Sequence, residues 1–395
     1  MVLIEITNRK FLNIFVAFFY VFNICLFGIN EFVNLFFYGT PLDSVFLYSL
    51  LLMLLLLAIF SVIYHLKLIH LIVFLVIFIV SILSCLINPY PLIVSKVLIF
   101  LTTVAPFYFI GATFTFTSLE KYLRHAVICA FIAASMYVVN STLLSGGYVH
   151  DMTASYSLLP VSILSQYFAF STRKPQYYFL MIIFGLEVFL LGVRGPILLY
   201  LIGLIFVVVK FSFKRKQKLL FLIFIGIIMA VIAGYLNSVV IFVDLVFKSL
   251  NIENGAFNRL VNNTFFGDSG RINMFKPIVD QIESFPIVGN GIFADRLLLD
   301  GSYTHNLIIE ICFNLGIILG PILFGAFLIS IFKLIRFYRE DNFVSIFLFS
   351  LVVITIGQHM ISGSYLENPF FFLLIGIIMN PSISPNLRMN ELRLN

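Results

Sequence analysis

Charge is the scarcest feature of this sequence. Asp, Glu, Lys and Arg make up 11% of the 395 residues, and hydrophobic residues make up 61%. A soluble domain carries about 25% charged residues, so this chain has too few ionic side chains to cover a water-facing surface. The shortage excludes a soluble enzyme, a nucleic-acid binder and a disordered regulator. It leaves an integral membrane protein with many spans. Short alternating strands are missing as well. The apolar runs continue for about 20 residues, which argues against a transmembrane barrel. Tryptophan is absent against 48 Phe and 18 Tyr, so any interfacial aromatic belt falls to Tyr. The four cysteines, Cys25, Cys85, Cys129 and Cys312, all lie inside apolar runs. Their spacing suggests neither a disulfide framework nor a metal site. Walker, Rossmann, D-x-D and HExxH patterns do not occur, which weakens nucleotide-driven transport and metal-dependent sugar-nucleotide chemistry. No cofactor is expected.

What the sequence has is a series of long apolar stretches. They predict helices at roughly 11–29, 42–64, 68–87, 91–114, 124–144, 155–171, 175–192, 196–213, 219–247, 305–334, 343–361 and 366–380. All but the last are long enough to cross about 30 Å of hydrocarbon. The fold class is therefore an all-α polytopic membrane protein with about 12 transmembrane helices. Residues 1–395 read as a single transmembrane bundle domain. The first stretch follows Arg9 and Lys10 without a small-residue cleavage site and is expected to stay as an anchor.

Cation placement orients the bundle. With the N-terminus inside and the spans alternating, the inner segments hold all but seven of the 24 Lys and Arg, including the Lys214–Lys218 cluster. The seven are Lys96, Arg194, Lys248, Arg259, Arg271, Lys276 and Arg296. Five of them fall in the connection 248–304, expected to be one large outer loop. Within it Ile272, Phe275, Ile278, Val279, Ile282 and Phe285 recur at near-helical spacing, which predicts an amphipathic helix lying on the membrane surface. Pro277 would kink that helix or mark its start.

Candidate chemistry gathers at the outer side. His305 is expected in the first turn of the tenth span. There the helix dipole disfavours imidazolium, and a neutral ring could serve as a general base. Asn306, Glu310 and Asn314 follow at four-residue steps as one polar stripe. A capped helix start with an interfacial His and a polar packing stripe fits the same spacing. Arg194 lies in Gly192-Val193-Arg194-Gly195-Pro196, a tight turn between two spans, with Glu187 expected on the same helical face. Arg271 follows Asp268-Ser269-Gly270. Two guanidinium groups with Lys96 near one mouth would suit a pyrophosphate; scattered solvated charge is the other reading of the same residues. His150-Asp151 is a possible pair, and His359 also falls on the outer side.

Several of these pieces carry a resemblance. Gly192-Val193-Arg194-Gly195-Pro196, then Ser269-Gly270-Arg271, Phe285-Pro286-Ile287-Val288-Gly289-Asn290-Gly291, and Thr304-His305-Asn306 through Glu310 to Leu315-Gly316 occur in this order. The chain resembles the O-antigen polymerase and ligase superfamily of bacterial envelope glycosyltransferases, most clearly over 185–320. The resemblance implies a metal-independent transfer of a glycan from undecaprenyl pyrophosphate at the periplasmic face of the inner membrane. It implies His305, Arg194 and Arg271 as catalytic residues. Lys96, Lys276, Asn306 and Glu310 would bind substrate, and Glu310 is a second candidate for the base. The loop 248–304 would then be periplasmic, with short amphipathic helices. Partners would be the lipid-linked oligosaccharide, the bilayer and a chain-length regulator, with no nucleic acid. A polymerase would use a second lipid-linked repeat unit as acceptor; a ligase would use the lipid A core. A lipid-linked oligosaccharide flippase is the alternative of another class. It should carry charges through several spans and lack the large outer loop.

Overall fold

The computed structural model describes residues 10–22, 24–25, 67–113, 115–140, 148–149, 152–191, 193–212, 253–254, 271–284, 287 and 289–380. The expected spans 42–64 and 219–247, the Lys214–Lys218 cluster, His150, Lys248 and Arg259 lie outside the described residues. The described chain is almost entirely helical. The exception is one short parallel bridge of Tyr148–Val149 with Glu253–Asn254.

The helices are α1 Lys10–Phe22, α2 Leu68–Ile87, α3 Pro91–Ile99, α4 Pro106–Thr113, α5 Leu119–Val138, α6 Met152–Thr172, α7 Pro175–Leu190, α8 Arg194–Ser212, α9 Arg271–Ser284, α10 Asp295–Leu298, α11 Leu307–Leu315, α12 Leu319–Phe337, α13 Asn342–Val352, α14 Gln358–Ile361 and α15 Pro369–Met379. Among the described residues, five helical stretches are long and apolar enough to cross a membrane: Leu68–Ile87, Pro91–Thr113, Arg194–Phe211, Leu319–Phe337 and Asn342–Ile361. The protein is thus a multi-pass membrane protein. Three shorter apolar helices accompany them, Lys10–Phe22, Pro175–Leu190 and Pro369–Met379.

Two of the five stretches contain a π-turn. In 91–113 the turn Phe100–Val104 precedes Pro106, whose missing N–H breaks regular pairing. In 342–361 the turn Val353–Gly357 comes just before Gln358 and His359. The tenth expected helix, 305–334, is not continuous. It ends at Leu315, passes through Gly316 at φ +86°, and resumes at Leu319. The backbone at Gly316 has left helical space, so a run that reads as one apolar segment folds as two helices.

The chain forms two compact units. One holds residues 1–16, 50–120 and 269–395; the other holds 17–49 and 121–268. In the first unit α4 and α15 pack backbone to backbone. A Cβ on Gly111 would strike the Leu373 carbonyl, and one on Gly376 would strike the Tyr108 carbonyl. Small residues allow this approach where water gives no drive for helix association. In the second unit α6 is buried on nearly every side from Ala154 to Ala169, and the hydroxyls of Ser162 and Ser165 donate to carbonyls of their own helix. It packs with α7 and α8. Tyr200 of α8 reaches over Gly185 to donate to the Met181 carbonyl at 3.0 Å.

Candidate functional site

The site is built around the broken end of α11. The last carbonyls of a helix have no partner within it. Here the loop before α10 supplies them, because Asn290 N–H donates to Phe313 O at 2.9 Å and Gly291 N–H to Asn314 O at 3.2 Å. Gly289 at φ +73° and Gly316 at φ +86° lie against each other, with Gly316 over the Ile287 carbonyl. The same loop is fixed to the end of α2. Ser84 Oγ donates to Ile292 O at 2.7 Å, and Asn88 Nδ2 to Asn290 O at 2.8 Å. Gly316→Ala is expected to lower thermal stability in detergent by more than about 1 kcal/mol, since it adds a Cβ at positive φ against a carbonyl. Gly325→Ala meets nothing within 4 Å and should be neutral or stabilising. Equal melting temperatures for the two variants would remove the close approach as the reason for that glycine.

Behind the loop lies a charge cluster that the sequence reading missed. Arg296 is fully buried. Its Nη1 contacts Asp295 Oδ2 and lies 3.4 Å from Glu310 Oε1. Its Nη2 lies 3.8 Å from Glu367 Oε1, which Lys96 Nζ also meets at 2.8 Å. The guanidinium carbon lies 5.4 Å from the Phe293 ring centre and 5.6 Å from that of Tyr303, so two aromatic faces add cation–π attraction. Thr304 Oγ1 donates to Asp295 Oδ2 at 2.9 Å, and Ser364 Oγ to Glu310 Oε1 at 2.5 Å. Burial pushes the Asp295 carboxyl up, against the opposing pull of Arg296 and Thr304. The available signal was an Asp-Arg pair in a chain otherwise poor in charge; sequence spacing did not show that both side chains turn inward.

His305 sits differently from expectation. It is not in the first helical turn. It adopts φ +55° just before the cap, in a sparsely populated region for a non-glycine residue. Asn306 is the N-cap, and its side chain accepts from Ile308 N and Ile309 N, both at 3.1 Å. The helix dipole therefore acts on the cap before it acts on His305. The His305 ring packs on Tyr303, with centres 4.2 Å apart, and its Nδ1 lies 3.4 Å from Ser362 Oγ. Glu310 and Asn314 are both buried on one face of α11, and Asn314 Nδ2 donates to Tyr365 Oη at 3.2 Å. One unit therefore brings together Lys96, His305, Asn306 and Glu310. Lys276 is exposed on α9, which also carries Arg271.

The expected amphipathic helix is α9. Pro277 lies inside it, and Ile278 is buried with Ala294 and Phe313. Arg194 belongs to the other unit and opens α8. Because α7 ends at Leu190, Glu187 and Arg194 do not share a continuous helical face. The Glu187 carboxylate accepts instead from Ser135 Oγ at 2.8 Å. Arg194 thus stands at a helix start, where backbone N–H groups already favour an anion, and Arg271 is the first described residue of α9. Among the described residues no group of His, Cys, Asp and Glu side chains comes together to hold a metal ion.

Residues 179–324 match the family model described as O-antigen ligase. The match supports the O-antigen polymerase and ligase superfamily and a glycosyltransferase-like activity. It spans Arg194, Arg271, Lys276, Arg296, His305, Asn306 and Glu310; Lys96 and the turn at 362–368 fall outside it. No curated protein matches the chain.

Proposed function

From the match to this superfamily we infer that the chain is a metal-independent glycosyltransferase that uses a lipid-pyrophosphate donor, and that it acts as an O-antigen polymerase. The observation that carries this reading is the position of three residues within the matched stretch: Arg194 opens a helix, Arg271 is carried by α9, and His305 stands in strained backbone before a capped helix. In the reaction the acceptor hydroxyl oxygen forms a bond to the anomeric carbon while the bond from that carbon to the pyrophosphate oxygen breaks. The electron pair leaves with undecaprenyl pyrophosphate, and the hydroxyl proton passes to His305. Arg194 and Arg271 meet the charge developing on the leaving group. Lys96 and Lys276 draw the anionic donor, and Asn306 and Glu310 hold the wall behind His305.

The proposed setting is the inner membrane. It has about 12 spans in one bundle domain, both termini inside, residues 248–304 in the periplasm, and a chain-length regulator as partner. The description of the matched family favours a second reading, ligase, in which the acceptor is the lipid A core. Purified protein in lipid, given only a lipid-linked repeat unit, separates the two. Growth to longer lipid-linked chains is expected; product that forms only when lipid A core is added would replace polymerase by ligase. In the same assay Arg194→Lys and Arg271→Lys should each lower turnover by at least tenfold, or about 1.4 kcal/mol of transition-state stabilisation. Lysine keeps the charge but loses the two-pronged grip on phosphate oxygens. Unchanged turnover in both variants would move the pyrophosphate site elsewhere.

A further inference from the structure

One wall of the site lies outside both the matched stretch and the motifs read from the sequence. The turn 362–368 makes four separate polar contacts with the segment that carries His305. Ser362 Oγ lies 3.4 Å from His305 Nδ1, Ser364 donates to Glu310, Tyr365 accepts from Asn314, and Glu367 faces Arg296.

The turn is itself held from behind. Ser362 is buried, and its extended backbone donates N–H to Gln358 O at 2.6 Å. Its carbonyl lies 3.3 Å from His359 Nδ1. Asn368 Oδ1 accepts from Phe370 N at 2.8 Å, while its Nδ2 reaches Ile354 O at 3.0 Å and His359 Nε2 at 2.7 Å. The amide orientation is fixed by these partners, so Nδ2 donates and His359 Nε2 accepts. The His359 proton therefore sits on Nδ1 and points to the Ser362 carbonyl. Gly363 at φ +94° leaves room for that imidazole, because a Cβ there would overlap its ring.

We propose that Ser362 is a positioning residue for His305: its hydroxyl oxygen accepts the Nδ1 proton of His305 and leaves the Nε2 lone pair for the acceptor hydroxyl. This rests on the reading of His305 as the base. A neutral imidazole has one N–H and one lone pair. In the tautomer with the proton on Nε2, that nitrogen can only donate and cannot take a proton. An acceptor fixed at Nδ1 selects the competent tautomer. It also stabilises the imidazolium that forms when the acceptor proton arrives, since that ion carries an N–H on both sides. Because the Ser362 hydroxyl is carried by a turn locked through His359 and Asn368, the ring is oriented without contact between Ser362 and substrate.

The test uses the full chain in lipid with a lipid-linked repeat unit and four variants: Ser362→Ala, Ser362→Thr, His305→Gln and the double variant Ser362→Ala/His305→Gln. Ser362→Ala should lower kcat on the order of tenfold, part of the roughly 10²–10⁴-fold that a positioned base supplies. KM should stay near the parent value, as a ground-state contact with substrate is not removed. The acid limb of the kcat–pH profile should move to lower pH, because an imidazolium without its Nδ1 acceptor is less stable. Ser362→Thr keeps the hydroxyl and should recover most of the rate. The double variant should be no slower than His305→Gln alone. Should Ser362→Ala fail to fold, Ser362→Cys replaces the hydroxyl by a weak acceptor at similar volume and carries the same expectation. A parent-like rate and acid limb for Ser362→Ala beside an inactive His305→Gln would overturn the positioning role and leave the base in place. A parent-like rate for His305→Gln would overturn the base and the positioning role together. A further loss in the double variant would make Ser362 a structural residue only.

Discussion

His305→Ala should abolish transfer by protein that still inserts and purifies as the parent does. The expected fall is on the order of 10²–10⁴-fold in kcat, the range a general base contributes. Folding should survive, since His305 is only half-buried and the helix start behind it is capped by Asn306 rather than by the imidazole. His305→Gln is the sharper variant. Glutamine keeps a polar group of similar length but cannot take a proton at neutral pH. Loss of turnover in both variants, with yield and gel-filtration profile unchanged, is the predicted result. Near-parent turnover by His305→Gln across neutral pH would leave His305 a positioning role only.

The second large effect concerns stability. Arg296→Ala should destabilise the protein by about 3–5 kcal/mol, because it strands Asp295 and Glu310 in a buried site without their shared cation. Both carboxylates and the guanidinium are fully buried. Among the described residues Arg296 is the cation that meets both carboxylates, so its removal leaves them without that counter-charge. The measurement is thermal unfolding in detergent, followed by recovery of the monodisperse peak. The triple variant Arg296→Met, Asp295→Asn, Glu310→Gln removes all three charges and should regain much of the lost stability, since a neutral cluster no longer holds unpaired ions. Arg296→Lys should remain impaired, because a compact ammonium lacks the planar fork and stacks less well between Phe293 and Tyr303. An Arg296→Ala protein that melts with the parent would show that the cluster contributes nothing to the fold.

Much of the architecture was legible because a bilayer imposes simple rules. Helices at 68–87, 155–171 and 175–192 were expected from apolar length alone and occur as Leu68–Ile87, Met152–Thr172 and Pro175–Leu190. The amphipathic helix within the long loop was readable from spacing and occurs as Arg271–Ser284. The motif at Gly289-Asn290-Gly291 was visible as a pattern, but its reason was not. The glycines matter because they let one loop approach the carbonyls at the end of a helix that breaks at Gly316. A hydropathy profile cannot see that break, since Leu315, Ile317, Ile318 and Leu319 are as apolar as any continuous span.

The class of the protein is written along the chain. Its poverty in charge forbids a water-facing surface, its apolar lengths match a bilayer, and an ordered set of short motifs carries the family resemblance. Tertiary structure decided which polar groups meet. Arg296 read as one more outer cation, and residues 362–365 only as the gap between the expected helices 343–361 and 366–380. In the fold Glu310 meets Ser364 and Arg296, and His305 meets Ser362, across 54, 14 and 57 positions of sequence. The physical reason is range. Hydration and helical periodicity act on neighbouring residues and so are written along the chain, whereas a hydrogen bond or buried ion pair forms only once distant segments are held within about 3 Å. One such place is the break of α11 at Gly316, where the loop at Asn290 and Gly291 closes on the helix end.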